Sequence, residues 1–590
     1  MLHRFLYALY GLVLSLLFGI IFSAQVLGFL RLYTTIPAIL MTLVVSFLAG
    51  WAFFRLDGGY ARQLAEKAPP DTRTSGIVGL CMLLIVLLVY VVRMVLWPYS
   101  ELGEQIHIDV ITYHLPKAIE LFRTGSMWTF EIPFGQYPVG YESLPAFSLI
   151  LRGDYFWMGI GHALVTLYLL LAIYLLLRRY TSLPTGWLLL LTVGISFVPL
   201  LYSQIVHVGK TDTLLAATVV AAIAHAPLTP DRADRSWHPY ALAFSTMISL
   251  SVKANGLFAL VGIWLIVGWR WWQAYRQGQG RQVITLPKLI MLTAIMAPCG
   301  LWVVRNLIVM GRPYSPEISG LFSTTWLANL TNPTLYTDGI ESVGIILTSI
   351  IALVTVLAPL FLKRIHTEYA FLLAIFWFGI LITPLGVFHT LVLYPVRVEY
   401  RYMLNAWLLI YALLIVLAEP LLRKILDWLN SVPWRAYVTQ LAAVAGTVAL
   451  LLLLGVTSFF IPNEDNLTVL HTPAYAAPGV DGYASVYDYV QREIHNAVLY
   501  YDDYNPFYAY DAAYTNHPIN NIYPLGMTGL LDLPQPDCIY HRNYAERSSS
   551  APEVSSDPEW RLLYDDGVGR VYCTLDYIAR SLPADIEGRE

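Results

Sequence analysis

Residues 239–271 read PYALAFSTMISLSVKANGLFALVGIWLIVGWRW, an apolar stretch interrupted by Lys253-Ala254-Asn255-Gly256. About 20 apolar residues cross the hydrocarbon core of a bilayer, so this stretch is too long for one span. A lysine at the centre of a lipid-exposed helix costs roughly 2.5–3.5 kcal/mol or more. Two helices meeting at Lys253 avoid that cost. The split also decides which side of a membrane every later loop occupies.

The rest of the chain repeats the pattern. Apolar runs near spanning length occur at 5–29, 36–54, 76–98, 154–177, 185–203, 211–226, 289–309, 343–362, 369–389, 402–419 and 438–460. With the split, the expected fold is an all-α polytopic membrane bundle of about thirteen transmembrane helices. The totals agree: 57% of the 590 residues are hydrophobic and 13% charged, against roughly 25% charged in soluble domains. The first run, Phe5–Phe29, exceeds the roughly 7–15-residue core of a signal peptide and reads as a retained helix. The net charge of −4 gives no reason to expect a nucleic-acid partner. No internal repeat, Walker A, GxGxxG, HExxH or paired CxxC motif occurs, which argues against a transporter driven by its own ATP hydrolysis.

Basic residues set the sidedness. With the N-terminus in the cytoplasm, the inside loops carry Arg55, Arg62, Lys67 and Arg73; Arg178 and Arg179; Arg232 and Arg235; Arg270, Arg276, Arg281 and Lys288; Lys363 and Arg364; and Arg423, Lys424 and Arg435. Every expected inside loop thus holds at least two, as the positive-inside rule requires. Without the break at Lys253, the 270–288 and 310–342 loops would exchange sides. The opposite face then holds the loop 99–153, shorter loops near 204–210, 252–256, 310–342 and 390–401, and the polar segment 462–590. The chain divides into a membrane domain, 1–461, and an extracytoplasmic α/β domain, 462–590. In the latter, Val486, Tyr489, Val490 and Ile494 share a helical face, and 498–501, 537–540 and 570–572 read as strands. Cys538 and Cys573 fall in adjacent strands of this exported domain, and a disulfide between them is expected. Cys81 and Cys299 lie in helices and should be free.

The first outer loop carries the chemistry. It reads Asp109-Val-Ile-Thr-Tyr113-His114-Leu-Pro116-Lys117, and later Tyr137-Pro-Val-Gly-Tyr141-Glu142. Asp109 and Tyr113, four apart, share a helical face. Ile111, Leu115, Ile119 and Phe122 have helical spacing, which predicts a helix lying along the membrane interface. Asp109 at its N-terminus is favoured as a carboxylate by the helix dipole. There it could take a proton from a hydroxyl, or act only as an N-cap. Lys210, Lys253, Arg305, Arg397 and Arg401 all map to outer helix ends, against the positive-inside trend. Each could snorkel at the interface, or the set could hold a phosphate.

The Asp-x-x-x-Tyr-His-x-Pro pattern and the Tyr-Pro-x-x-Tyr-Glu segment resemble those of the C-type-fold membrane glycosyltransferases. These include the bacterial aminoarabinose transferases and the protein O-mannosyltransferases. Trp302-Val-Val-Arg305-Asn306 with Gly311-Arg312-Pro313-Tyr314-Ser-Pro316 is similar to a signature in bacterial relatives, as is Arg397-Val-Glu399-Tyr400-Arg401-Tyr402. Gly209-Lys210-Thr-Asp212 and Lys253-Ala-Asn255-Gly256 stand where relatives often carry polar residues. The resemblance covers roughly 76–420. It implies a polyprenyl-phosphate-linked sugar donor, a bacterial plasma-membrane location and an acceptor that is a lipid, a glycan or a protein. It also implies Asp109 as general base, the five cations on the donor phosphate, and Tyr113, His114, Glu142, Asp212, Asn255 and Tyr400 in the substrate pocket. Some members use a divalent cation, Mg2+ or Mn2+. No strong metal-ligand spacing occurs here, although Asp109 with His114 or Glu142 could form a weak oxygen-rich site. The familiar members tend to carry Asp-Glu in the loop motif, whereas Val110 follows Asp109 here, which leaves the substrate class open. A transporter or flippase, and an oligosaccharide ligase or polymerase, are the alternative readings.

Overall fold

The structure is a computed structural model. It describes residues 2–56, 73–96, 110–153, 156–197, 199–206, 208–226, 238–253, 256–278, 285–313, 404–431, 485–501, 509–511, 513–520, 534–542, 554–567 and 569–581, with isolated positions between 353 and 446. The expected spans at 343–362, 369–389 and 438–460 therefore lie largely outside the described residues, as do Asp109, Asn255, Arg397, Tyr400 and Arg401.

In chain order the helices are α1 (Leu2–Phe29), α2 (Thr35–Trp51), α3 (Arg73–Leu96), α4 (Leu115–Thr124), α5 (Ser143–Arg152), α6 (Phe156–Tyr180), α7 (Thr185–Ile195), α8 (Pro199–Val206), α9 (Asp212–His225), α10 (Pro239–Val252), α11 (Gly256–Arg276), α12 (Leu286–Met296), α13 (Leu301–Met310), α14 (Leu404–Asn430) and α15 (Ser485–Glu493). Among the described residues, four helical stretches are long and apolar enough to cross a bilayer: Leu2–Phe29, Thr35–Leu56, Trp157–Tyr180 and Leu286–Met310. Large apolar side chains point outward from them, including Leu43, Phe47, Ile290 and Ile308. A soluble protein does not leave such continuous apolar faces open. The chain is an integral membrane protein of the helical type.

Two apolar runs are not single straight helices. The run 185–203 divides into α7 and α8. Pro199 opens the second piece, at the first helical position, where its missing N–H is no loss. The run 289–309 bends through a 3-10 turn, Ala297–Gly300, where Pro298 has no N–H to give. By contrast, α10 and α11 part at Lys253, where the backbone turns extended.

The core forms around α6 and α9. All 14 residues of α9 are buried, so no polar stripe is needed and none is present. Tyr168 of α6 reaches Ser245 of α10 at 3.1 Å. At one end of the bundle, Arg179 donates to the carbonyls of Ile223 and Ala224 at the C-terminus of α9, where a cation meets the helix dipole. Glu419 accepts from Ser182 and Arg423 at that end. These are residues of the loops read as cytoplasmic. The segment 110–142 sits at the other end.

The C-terminal region holds a five-stranded sheet in the order β2-β1-β3-β5-β4, from β1 (Val498–Tyr501), β2 (His517–Asn520), β3 (Cys538–Arg542), β4 (Trp560–Asp565) and β5 (Gly569–Thr574), followed by α16 (Leu575–Ser581). β1 pairs parallel with β2 and β3, while β5 runs antiparallel to β3 and β4. Val486 and Val490 of α15, and Ile494 directly after it, are fully buried. Cys538 and Cys573 face one another directly in the β3–β5 register and are joined by a disulfide. Cys81 and Cys299 are free thiols.

The disulfide closes a loop with a sequence separation of 35 residues. On chain-entropy grounds its removal by a C538S/C573S double substitution is expected to cost about 3–4 kcal/mol. Hydrogen exchange of residues 538–574 in the full-length protein measures this. Unchanged protection would show that the sheet does not depend on the cross-link.

Candidate functional site at the loop end of the bundle

The site is built from the segment 110–142 and the helix ends it touches. A π-helical turn, Val110–His114, leads into α4, which has Pro116 in its first turn and ends at Gly125 in the left-handed region. The segment is then strapped to α1 and to the connection that follows it: Met127 N–H donates to Gly28 O, the Trp128 indole to Phe29 O at 2.7 Å, and Tyr33 N–H to Gly125 O.

Glu142, the residue before α5, lies at the centre. Its Oε1 sits 2.6 Å from Lys117 Nζ and 2.8 Å from His114 Nδ1, with both charged side chains 1% exposed. The Lys117 ammonium also donates to Pro138 O at 3.0 Å and lies over the Tyr113 ring. Tyr113 packs on His114, Phe134 and Tyr137. Burial alone would raise the Glu142 carboxyl, but the Lys117 charge and the His114 hydrogen bond hold it below its ordinary value. Glu142 is therefore a carboxylate. Burial pulls the Lys117 ammonium down, and Glu142 opposes that pull. The second carboxylate oxygen, Oε2, is buried with no hydrogen-bond partner among the described residues.

Tyr141 ties this cluster to the helices. Its hydroxyl lies 2.7 Å from His162 Nδ1 and accepts from Gly209 N–H. His162 Nε2 is 3.0 Å from the Ile205 carbonyl, which can only accept, so Nε2 carries the proton and Nδ1 takes the tyrosine's. Burial pushes the Tyr141 phenol up, so it stays a neutral donor. Gly209 has φ +99°, and a Cβ there would meet Val110 Cγ1 at 2.5 Å. Val110 and Gly209 are thus in contact, and Lys210 follows, 1% exposed.

The N-terminus of α9 and the C-terminus of α10 meet the same segment. Lys253 and Asp212 form an ion pair at 2.8 Å. Gly140 N–H donates to Ser251 O at 2.7 Å, and any Cβ on Gly140 would fall 2.4 Å from that oxygen. Arg305 of α13 is fully buried, and its guanidinium is taken up by carbonyls: Met127 O, Gly135 O at 2.9 Å and Tyr137 O at 3.4 Å. Asn306 continues the clamp through Gln136 O and Pro313 O.

Tyr113, His114 and Glu142 therefore come together as one cluster, and Lys253 joins Asp212. Arg305 is engaged by the loop backbone in this structure. α4 differs from the expected helix on a bilayer surface: Leu115 and Ile119 are buried on one side, while Lys117 and Glu120 are buried as well. Lys117, His162 and Asn306 were not among the candidate residues. Lys117 was detectable, because it lies three residues beyond His114 on the same helical face. His162, near the start of the apolar helix α6, carried no local signal.

A divalent cation does not fit the described donors. The Lys117 ammonium already occupies Glu142 Oε1, and no group of three metal-ligating side chains forms among the described residues.

The architecture defined by these residues is a helical membrane protein with a charged, loop-covered cluster at one end of its bundle and an α/β domain beside it. No protein-family model matches the sequence, and no curated protein matches it. Solved structures do show a likeness. The structure is similar to that of the aminoarabinose transferase ArnT from Cupriavidus metallidurans bound to undecaprenyl phosphate, at 14% identity over 87% of this chain and 99% of that one, with a TM-score of 0.44. The apo state of ArnT aligns at 13% identity, over 88% and 100% of the two chains, also with a TM-score of 0.44.

Removing one partner of a buried ion pair leaves the other charge uncompensated. Lys117→Met and Glu142→Gln are each expected to lose about 3–5 kcal/mol, and the double variant to recover part of that loss. Unfolding in detergent or nanodiscs measures both. Because the folded-state carboxyl lies below its ordinary 4.5, its stabilisation is complete above that pH and fades as pH falls through the lower folded value. That acid-dependent loss should be missing from E142Q. Additive single-variant losses would show that the pair is not coupled.

Proposed function

We propose that the chain is a membrane glycosyltransferase that moves a sugar from a polyprenyl-phosphate donor to an acceptor hydroxyl on the non-cytoplasmic face. The observation that carries this reading is the convergence of separate motifs at one end of the bundle. Val110 touches Gly209, Lys253 pairs with Asp212, Gly140 bonds Ser251, and His114 and Lys117 meet at Glu142. Those residues belong to the stretches that resemble the C-type-fold enzymes, and their meeting gives the motif resemblance a spatial basis. The likeness to ArnT stands beside this as a finding about shape only.

In this mechanism Asp109 is the general base. It accepts the proton of the acceptor hydroxyl as that oxygen attacks the anomeric carbon. The bond from the anomeric carbon to the phosphate oxygen breaks, its electron pair leaves on the lipid phosphate, and the anomeric configuration inverts. Lys210, Lys253, Arg397 and Arg401 supply positive charge for the phosphate as its own charge grows. Arg305 contributes by holding the 127–137 segment in place through its carbonyls. Tyr113, His114, Glu142, Asp212, Asn255 and Tyr400 line the substrate region. The N-terminus is cytoplasmic, the membrane is the bacterial plasma membrane, and the α/β domain is extracytoplasmic.

The test is Asp109→Asn in proteoliposomes supplied with sugar-loaded undecaprenyl phosphate and a mixed acceptor extract. Loss of a general base should reduce turnover by about 10²–10⁴-fold while undecaprenyl-phosphate binding persists. Turnover at the unmodified rate would remove Asp109 from the mechanism.

A further inference from the structure

Among the described residues, the α/β domain meets the membrane domain on α4, the helix that also carries Lys117 of the charged cluster. Tyr510 donates its hydroxyl to Glu120 Oε1 at 2.9 Å. Arg123 Nη2 donates to His517 Nδ1 at 2.5 Å, and to Glu120 Oε2 at 2.7 Å. Phe122 meets the edge of Tyr514. Glu120 and Tyr514 are buried, and Tyr510 is fully so.

The loop that presents these groups is itself rigidly built. Asp511, fully buried, accepts from the backbone of Thr515 and Asn516, from the Thr515 hydroxyl, and pairs with His495. Asn516 returns hydrogen bonds to Ile494 O and Ala509 O. Tyr510, Tyr514 and His517 thus project from a braced platform. At 100° per residue, Glu120 and Arg123 lie on the side of α4 away from His114 and Leu121. Lys117 stands between these two sides.

We infer that the platform formed by residues 509–511 and 513–517 holds α4 in place, so that Tyr510 and His517 are positioning residues for the Lys117–Glu142–His114 cluster. The contact itself is independent of chemistry. Its consequence for catalysis rests on the glycosyltransferase reading.

The contact is acid-sensitive by construction. An arginine can only donate, so His517 must offer a lone pair at Nδ1 and is neutral. The charged groups facing it are Glu120 and Arg123 of α4. Glu131 and Tyr510 act on Arg123 in turn, and Tyr514 packs against Tyr510. Burial first, and then the Arg123 charge, hold His517 below its ordinary 6.5, and Glu120 opposes them. The neutral contact is complete above that value. As pH falls below it and through the lower folded value, protonation sets a second cation against Arg123 and removes the acceptor.

Hydrogen–deuterium exchange of peptides covering 115–124, in full-length protein in nanodiscs, tests this. After correction for intrinsic exchange, unmodified protein should lose protection about fivefold between roughly pH 7.5 and 5.5. His517→Gln keeps an acceptor but cannot titrate, and should retain protection at both values. Tyr510→Phe should raise exchange about fivefold at roughly pH 7.5 without a change at β3 or β5. A pH step that persists in H517Q, or exchange in Y510F equal to that of unmodified protein, overturns the inference. In parallel, undecaprenyl phosphate should bind several-fold more weakly at the lower pH to unmodified protein but not to H517Q. If unmodified protein binds none at either pH, the glycosyltransferase reading fails, and the exchange results alone decide the coupling.

Discussion

The contact on which the loop end of the bundle depends is the ion pair between Lys117 and Glu142. Neither side chain reaches water. Taking an isolated ion out of water costs several kcal/mol even after relaxation, so neither charge could be buried alone. Their mutual attraction, the His114 bond and the Pro138 carbonyl offset that cost. The pair links the start of the segment 110–142 to its end. Because Glu142 directly precedes α5, it also fixes where the segment re-enters the helical bundle.

Between α4 and α5 the segment has little regular structure, so its backbone polar groups need other partners. Arg305 and Asn306 supply them. Two adjacent side chains of α13 reach the carbonyls of residues 127, 135, 136 and 137. A guanidinium suits this role because its five donors are fixed in a plane and never lose their charge. An arginine buried at the end of a membrane helix thus acts as a scaffold for a loop. The Trp-x-x-Arg-Asn motif is legible as structure without any bound phosphate. Trp302 follows the same logic, donating to Leu250 O.

Much of this was legible in the sequence, and the limits have physical causes. The break at Lys253 could be read because a lysine has no inexpensive position inside hydrocarbon, and the structure parts α10 from α11 there. The helix 485–493 and the strands at 498–501, 538–542 and 569–574 announced themselves through periodicity and β-branched or aromatic content. β2 and β4 did not. His517-Pro518-Ile519-Asn520 carries proline and asparagine, which disfavour strands, and it pairs on one side only, at the edge of the sheet. β4 occupies the other edge, where burial is partial and the alternation is blurred. The candidate cluster was partly visible: His114 and Glu142 were singled out, but not the lysine that joins them. Pairing across 25 residues of loop leaves no periodic trace. The two-sided burial of α4 was hidden for a related reason. Its second covering surface comes from residues almost 400 positions away.

That second surface changes what α4 is. An amphipathic helix resting on a bilayer is held by diffuse apolar burial and can slide or tilt at little cost. α4 is instead pinned on one side by a buried ion pair and on the other by directional hydrogen bonds to a braced loop. Each neutral hydrogen bond contributes only about 1 kcal/mol, and those to charged groups about 1.5–3 kcal/mol. The platform contacts are therefore individually weaker than the pair they support. Loosening them would not unfold the bundle, but it would let α4 shift, and a shift of about 1 Å is enough to misalign a reacting group. The domain thus holds the element nearest the candidate site through contacts weak enough to respond to pH, while the ion pair keeps the rest of the loop folded.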